Sequence, residues 1–332
     1  MNSDDTSASA PCTAPRFDPV IQKLVDRFEA GRARRFQPED LPKMRSGYAG
    51  MVRDQTLGPG VSITNIEAAG VPVRLYRPVA EGPLPLHVYC HGGGFVMGSA
   101  LSGESDGPLS RRAAEARCLV ASVEYRLAPE HPFPAGVEDA YAALVGLVRQ
   151  AGAFGVDPRA VSVGGASSGG NFAAVLALMT RDRHGPPLML QLLEIAGTDL
   201  TKSSHAWRNP APGHDTTRER DLAMVDVYLI KQADRAHPYA SPLFAPDLSG
   251  LAPAYVMNAE FDPRRDECEA YVARLRDAGV AATSRTLAGH VHGSLAIPGW
   301  PPAEAWQAEA NRILAKANLA ALAGADTARR GV

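Results

Sequence analysis

Ala160-Val161-Ser162-Val163-Gly164-Gly165-Ala166-Ser167-Ser168-Gly169-Gly170-Asn171-Phe172-Ala173-Ala174-Val175-Leu176-Ala177-Leu178-Met179 is the stretch on which the fold turns. Its first four residues are a β-branched run suited to a buried strand, and 171–179 reads as a buried helix. Between them Gly164, Gly165, Gly169 and Gly170 bracket a serine. Glycines there permit a sharp, strained backbone and let the helix pack close against the strand. Strand, tight turn and helix in that order push Ser167 forward as a nucleophile.

Gly-x-Ser-x-Gly alone carries little weight, since a chain of 332 residues with 31 glycines meets it by accident. Gly103-Glu104-Ser105-Asp106-Gly107 is a second copy, but it follows the loop-like Gly98-Ser99-Ala100-Leu101-Ser102 and precedes Pro108, a natural helix start. Ser105 is therefore expected in a turn or helix cap. The partner of the Ser167 turn is His91-Gly92-Gly93-Gly94, whose glycines offer bare backbone N–H groups to an incoming carbonyl oxygen. The two motifs together describe acyl-transfer chemistry.

A serine nucleophile needs a base, and the base an orienting acid. On a sheet of this kind the chain order is Ser, then Asp or Glu, then His. The apolar strand candidate 254–259 runs into Glu260-Phe261-Asp262-Pro263, which puts Asp262 at a strand's carboxyl end. Asp262 also reads as an N-cap with proline at N1 before the helical 264–278, and one residue can hold both roles. The strand candidate 282–287 leads to Ala288-Gly289-His290-Val291-His292-Gly293, where two histidines compete as the base. A surface pair is the plain alternative, and a metal site is disfavoured because no third ligand cluster adjoins them.

Tyr125-Arg126-Leu127-Ala128-Pro129-Glu130-His131-Pro132-Phe133-Pro134-Ala135, together with His91–Phe95, Gly165–Asn171 and Asp262-Pro263 through Asp266-Glu267, resembles the hormone-sensitive-lipase-like esterases of the α/β-hydrolase fold. The likeness runs from about 40 to 320. It implies a triad of Ser167, Asp262 and His292, the last preferred over His290 because the family's histidine precedes a glycine. It implies oxyanion donors on the N–H groups of Gly93, Gly94 and Ser168, and no cofactor or metal. The chain departs from the family at Ala166 and Ser168, where Asp and Ala are usual, at Arg264, where leucine is common, and at Ser294. His91 precedes Ser167 in sequence while the base comes last, so a structural role anchoring the glycine loop is expected. In the 125–135 block the prolines fix an extended loop, across which Arg126 and Glu130 are expected to pair.

Composition fits one large α/β domain spanning 1–332, with 45% hydrophobic and 21% charged residues. Strand candidates at 61–66, 71–76, 86–90 and 118–124 precede the Ser167 strand, with helices at 109–116 and 137–151, as a mostly parallel central sheet flanked by helices requires. Residues before about 50 and about 200–240 fall outside this alternation, and the resemblance makes them a helical cap. Residues 1–15 lack a signal-peptide pattern and are expected to be partly disordered. A net charge of −2 gives no reason to expect nucleic acid or an anionic membrane, and no apolar run approaches the roughly 20 residues of a span. Cys12, Cys90, Cys118 and Cys268 have no paired spacing, which fits a reducing cytoplasm, with Cys90 a buried thiol.

The expected substrate is a small-molecule carboxylic ester with a short acyl chain or small alcohol. An amidase or deacetylase using the same triad, and a non-catalytic small-molecule receptor on the same scaffold, are the alternatives. Phe36, Phe95, Met97 and Trp207 are pocket candidates. Strand 282–287 would be a sheet edge, and a homodimer through it is the assembly the resemblance allows.

Overall fold

A computed structural model describes residues 17–31, 36–50, 56–209 and 216–330. Residues 1–15 and Cys12, for which expectations were stated above, lie outside these. Eight strands form one sheet in the order β1-β2-β4-β3-β5-β6-β7-β8. They are β1 Val61–Ala68, β2 Val71–Pro78, β3 Leu84–Cys90, β4 Leu119–Val123, β5 Val156–Ala166, β6 Leu190–Glu194, β7 Ala254–Phe261 and β8 Ala282–Val291. β2 runs antiparallel to β1 and β4, and every other pairing is parallel.

β3, β4 and β6 are buried along their whole length, so their sequences are largely apolar and the period of two shows only in which face each residue joins. Leu86, Val88 and Cys90 of β3 and Leu119, Ala121 and Val123 of β4 enter one core; Tyr89 and Val120 enter the opposite one. The first core is covered by α4 (Ala135–Arg149), α5 (Ser168–Asp182) and α8 (Arg264–Asp277). The second is covered by α3 (Asp106–Ala116) and α9 (Pro301–Arg330). β1 and β8 are the outer strands, and the alternation of half-buried and exposed residues along most of β8 is that of an edge.

The remaining helices lie outside this sandwich. α1 (Pro19–Gly31) buries Ile21 and Val25 against Val291, Trp300 and Ala303. α2 (Leu41–Ala49), the short α6 (His205–Arg208) and α7 (Arg218–Tyr228) complete the set, and α7 sinks Val225 and Tyr228 into the first core. No described helix is long and apolar enough to cross a membrane.

One expectation needs correction. Arg126 and Glu130 do not pair. Arg126 instead grips Asp139 of α4 with its Nε and Nη2, each at 2.8 Å, while Glu130 takes Arg45 of α2 at 2.7 and 2.8 Å. The loop turns between them, with the His131 N–H donating to the Leu127 carbonyl at 2.9 Å, so each charge meets a different helix. Ser105 stands at the N-cap of α3, as a turn-or-cap reading requires.

Candidate active site

β5 runs into α5 with Ser167 as the single residue between them, at φ 57 and ψ −118. That positive φ in a non-glycine residue is strained backbone, a few kcal/mol at most, which the surrounding packing must hold. The packing is tight enough to do so. A Cβ on Gly169 would lie 2.0 Å from the Cys90 carbonyl oxygen, so the turn is pressed directly onto the end of β3. Ser168 is the first residue of α5, and its N–H has no partner inside the helix.

His292 follows the end of β8 and Asp262 follows the end of β7, so adjacent parallel strands deliver both to the same edge as Ser167. The His292 Nε2 lies 2.9 Å from the Ser167 Oγ, and its Nδ1 lies 2.6 Å from the Asp262 Oδ2. The other Asp262 oxygen accepts the Arg264 N–H at 3.0 Å at the start of α8. Asp262 thus holds the imidazole and the helix start at once. Burial alone would raise its pKa, but His292 and Arg264 beside it keep the carboxyl well below the usual range.

His290 is elsewhere. Between the Ala259–Leu287 and Phe261–Val291 pairs the register shifts, and Gly289 there has φ +75. The bulge turns His290 inward, where its Nδ1 meets the Ser294 Oγ at 2.8 Å and its ring packs on Trp300 and Trp306. Burial lowers its pKa to about 4, which leaves it neutral.

The glycine loop leaves β3 beside the serine. Gly93, at φ +126, folds the chain back so that its carbonyl accepts the N–H groups of Val96 and Met97 at 3.2 and 3.0 Å. A Cβ there would lie 2.1 Å from the Met97 oxygen, so no larger residue fits without moving the loop. His91 anchors it from behind: its ring stacks on Tyr125 with centroids 4.1 Å apart, and its Nδ1 contacts the Gly92 carbonyl at 2.8 Å. The Tyr125 hydroxyl donates to the His91 carbonyl at 2.6 Å.

A pocket opens beside Ser167 and Ser168, lined by Leu200, Met224 and Val225 and by the charged Lys202, Asp221 and Arg264. Phe95, one of the sequence's pocket candidates, also lines it. Phe36 and Met97 pack instead against the first core. Trp207 lies behind the charges, its ring 5.0 Å from the Lys202 Nζ and 5.1 Å from the Arg264 guanidinium. The ion group was not legible in the sequence beyond the unusual Arg264. Lys202 and Asp221 stand nineteen positions apart, across a segment with no periodicity to link them.

The matched family model, described as alpha/beta hydrolase fold, covers residues 87–296. Carboxylesterase NlhH of Mycobacterium tuberculosis is 38% identical over 304 residues, which span 84% of this chain and 89% of the relative. An arylesterase of Saccharolobus solfataricus is 35% identical over 70% of this chain and 76% of its own length. Among solved structures, a bacterial heroin esterase superposes with a TM-score of 0.82 at 33% identity, covering 92% of this chain and 99% of that one. A Pyrobaculum calidifontis esterase superposes with a TM-score of 0.80 at 33% identity, over 91% of this chain and 99% of that one. With the Ser167 turn, the glycine loop and a family match across most of the sheet, the chain belongs to the α/β-hydrolase family, in its hormone-sensitive-lipase-like branch.

Proposed function

We propose that the protein is a serine carboxylesterase acting on small-molecule esters through Ser167, His292 and Asp262. The observation that carries this is the unbroken contact from the Ser167 Oγ through both nitrogens of His292 to the buried Asp262 carboxylate, at 2.9 and 2.6 Å. In the reaction the Oγ attacks the ester carbonyl as His292 Nε2 takes its proton, and Asp262 fixes the tautomer and stabilises the imidazolium. The N–H groups of Gly93, Gly94 and Ser168 are the proposed donors to the tetrahedral oxyanion. His292 then protonates the leaving alkoxide, leaving an acyl-enzyme that water cleaves by the same steps in reverse roles.

The helices outside the sandwich, α7 above all, are read as a cap of one domain, since α7 contributes Asp221, Met224 and Val225 to the pocket. The relatives' names, carboxylesterase and arylesterase, support the same reaction class. Ser167→Ala is expected to abolish covalent labelling by a fluorophosphonate and to lower p-nitrophenyl acetate turnover by at least about 1,000-fold. Retained labelling or turnover in that variant would refute the assignment.

A further inference from the structure

Lys202, Asp221 and Arg264 form a contiguous charged stretch of the pocket lining, each almost fully buried. The Lys202 Nζ lies 3.0 Å from Asp221 Oδ2, and the Arg264 Nη2 bonds the other oxygen of Asp221. Behind them the Trp207 Nε1 donates to the Glu267 Oε2 at 2.9 Å. Most pocket linings are apolar with a few polar groups that fix orientation and specificity, and here those polar groups are ions.

We propose that this ion chain selects the acyl group, favouring esters of short hydroxy acids over the matching aliphatic acids. The proposal rests on Ser167 being the esterase nucleophile. The alcohol arm must leave toward His292, which gives it a proton, and His292 does not line this pocket. The pocket is therefore left to the acyl arm. Its cavity volume is about 20 Å³, little more than the roughly 10–15 Å³ that one water needs, so few substrate atoms can sit directly against the ions.

Charge and hydrogen-bonding capacity decide which few atoms. Two cations, Lys202 and Arg264, are set among three carboxyl groups, Asp221, Asp262 and Glu267, so a free carboxylate on the substrate meets no excess of positive charge. An alkyl group set against these buried ions offers them no hydrogen bond, which is unfavourable. A hydroxyl fits both. An ammonium has three donors, and Lys202 has Asp221 within hydrogen-bond range while Glu267 stands off at 3.7 Å. The substrate oxygen accepts from Nζ, and its O–H donates to the Asp221 carboxylate.

Ethyl lactate against ethyl isobutyrate, and ethyl 3-hydroxybutyrate against ethyl isovalerate, exchange one hydroxyl for one methyl. Followed by pH-stat and normalised to their hydroxide-catalysed rates, the hydroxylated member of each pair is expected to show about tenfold higher kcat/KM. Lys202→Met, which leaves Asp221 paired with Arg264, is expected to bring both ratios to one or below while Ser167 still labels with fluorophosphonate. Ratios of one or below in the wild type, or kcat/KM rising steadily from ethyl acetate to ethyl hexanoate, would overturn the proposal, and neither outcome depends on the variant folding. Failure of every ester together with failure to label Ser167 would instead overturn the esterase reading itself.

Discussion

At the scale of single residues, Asp262 carries two tasks on two oxygens, and the tasks separate in the right variants. Its Oδ2 meets the His292 Nδ1, and its Oδ1 accepts the first N–H of α8. Asp262→Asn keeps an oxygen for the helix start but loses the charge that stabilises the imidazolium and fixes its tautomer. It is expected to lower kcat by about 10³–10⁴-fold and, because the fold favours the charged carboxylate, to unfold at lower urea than wild type at neutral pH, a difference that shrinks below about pH 4. Asp262→Ala loses the cap as well and is expected to cost about 1 kcal/mol of stability in addition. Urea titrations beside kinetics read both effects; an Asn variant with native kcat would remove Asp262 from the triad. The same residue shows why its sequence reading left two roles standing: one side chain serves both, and nothing in Asp-Pro excludes either.

Among the elements, α9 is fastened by a buried polar network that the main site does not use. Arg112 of α3 donates from Nη2 to the Glu194 Oε1 at the end of β6, at 2.8 Å, and the Trp306 Nε1 of α9 donates to the other Glu194 oxygen, also at 2.8 Å. Arg112 and Glu194 side chains are each 1% exposed. Removing one partner of such a pair strands a buried charge. Glu194→Ala is therefore expected to cost about 3–5 kcal/mol, while the double replacement Arg112→Met with Glu194→Leu costs clearly less. Urea denaturation checks this, and an Ala variant of native stability would show that water already screens the pair. The elements were legible where burial gave long apolar runs, as in β3, α5 and β7, and their ends were less so: β5 begins at Val156, upstream of its apolar run, because Asp157, Pro158 and Arg159 carry no strand signal.

Across the whole molecule the residues proposed for catalysis could be picked out of the sequence and the pocket could not, for one physical reason. Ser167, Asp262 and His292 sit at strand ends, where the order of the chain fixes which edge they share, whereas Lys202, Asp221 and Glu267 come from three segments whose meeting depends on how the loops after β6 fold. That meeting leaves a signature in the pH dependence of stability. Burial raises the Glu267 carboxyl, and nearby Asp199 adds to this against the pull of Lys202, to about 7 from 4.5. Between about pH 4.5 and 7 the native protein then holds a proton that the unfolded chain has released, so stability falls as pH rises through that window. A shift of this size corresponds to a loss on the order of 3 kcal/mol. Asp262 and Asp221 act in the opposite sense, since both are held below their usual range: their contribution is lost as pH falls through the acid region below about 4, outside the Glu267 window. Glu267→Gln keeps an oxygen for the Trp207 N–H and has no proton to release. The melting temperature of this variant relative to wild type is expected to climb from pH 4.5 to 7 and then level off. A difference independent of pH would show that Glu267 is already ionised in the native state and that the ions beside Ser167 carry one more negative charge.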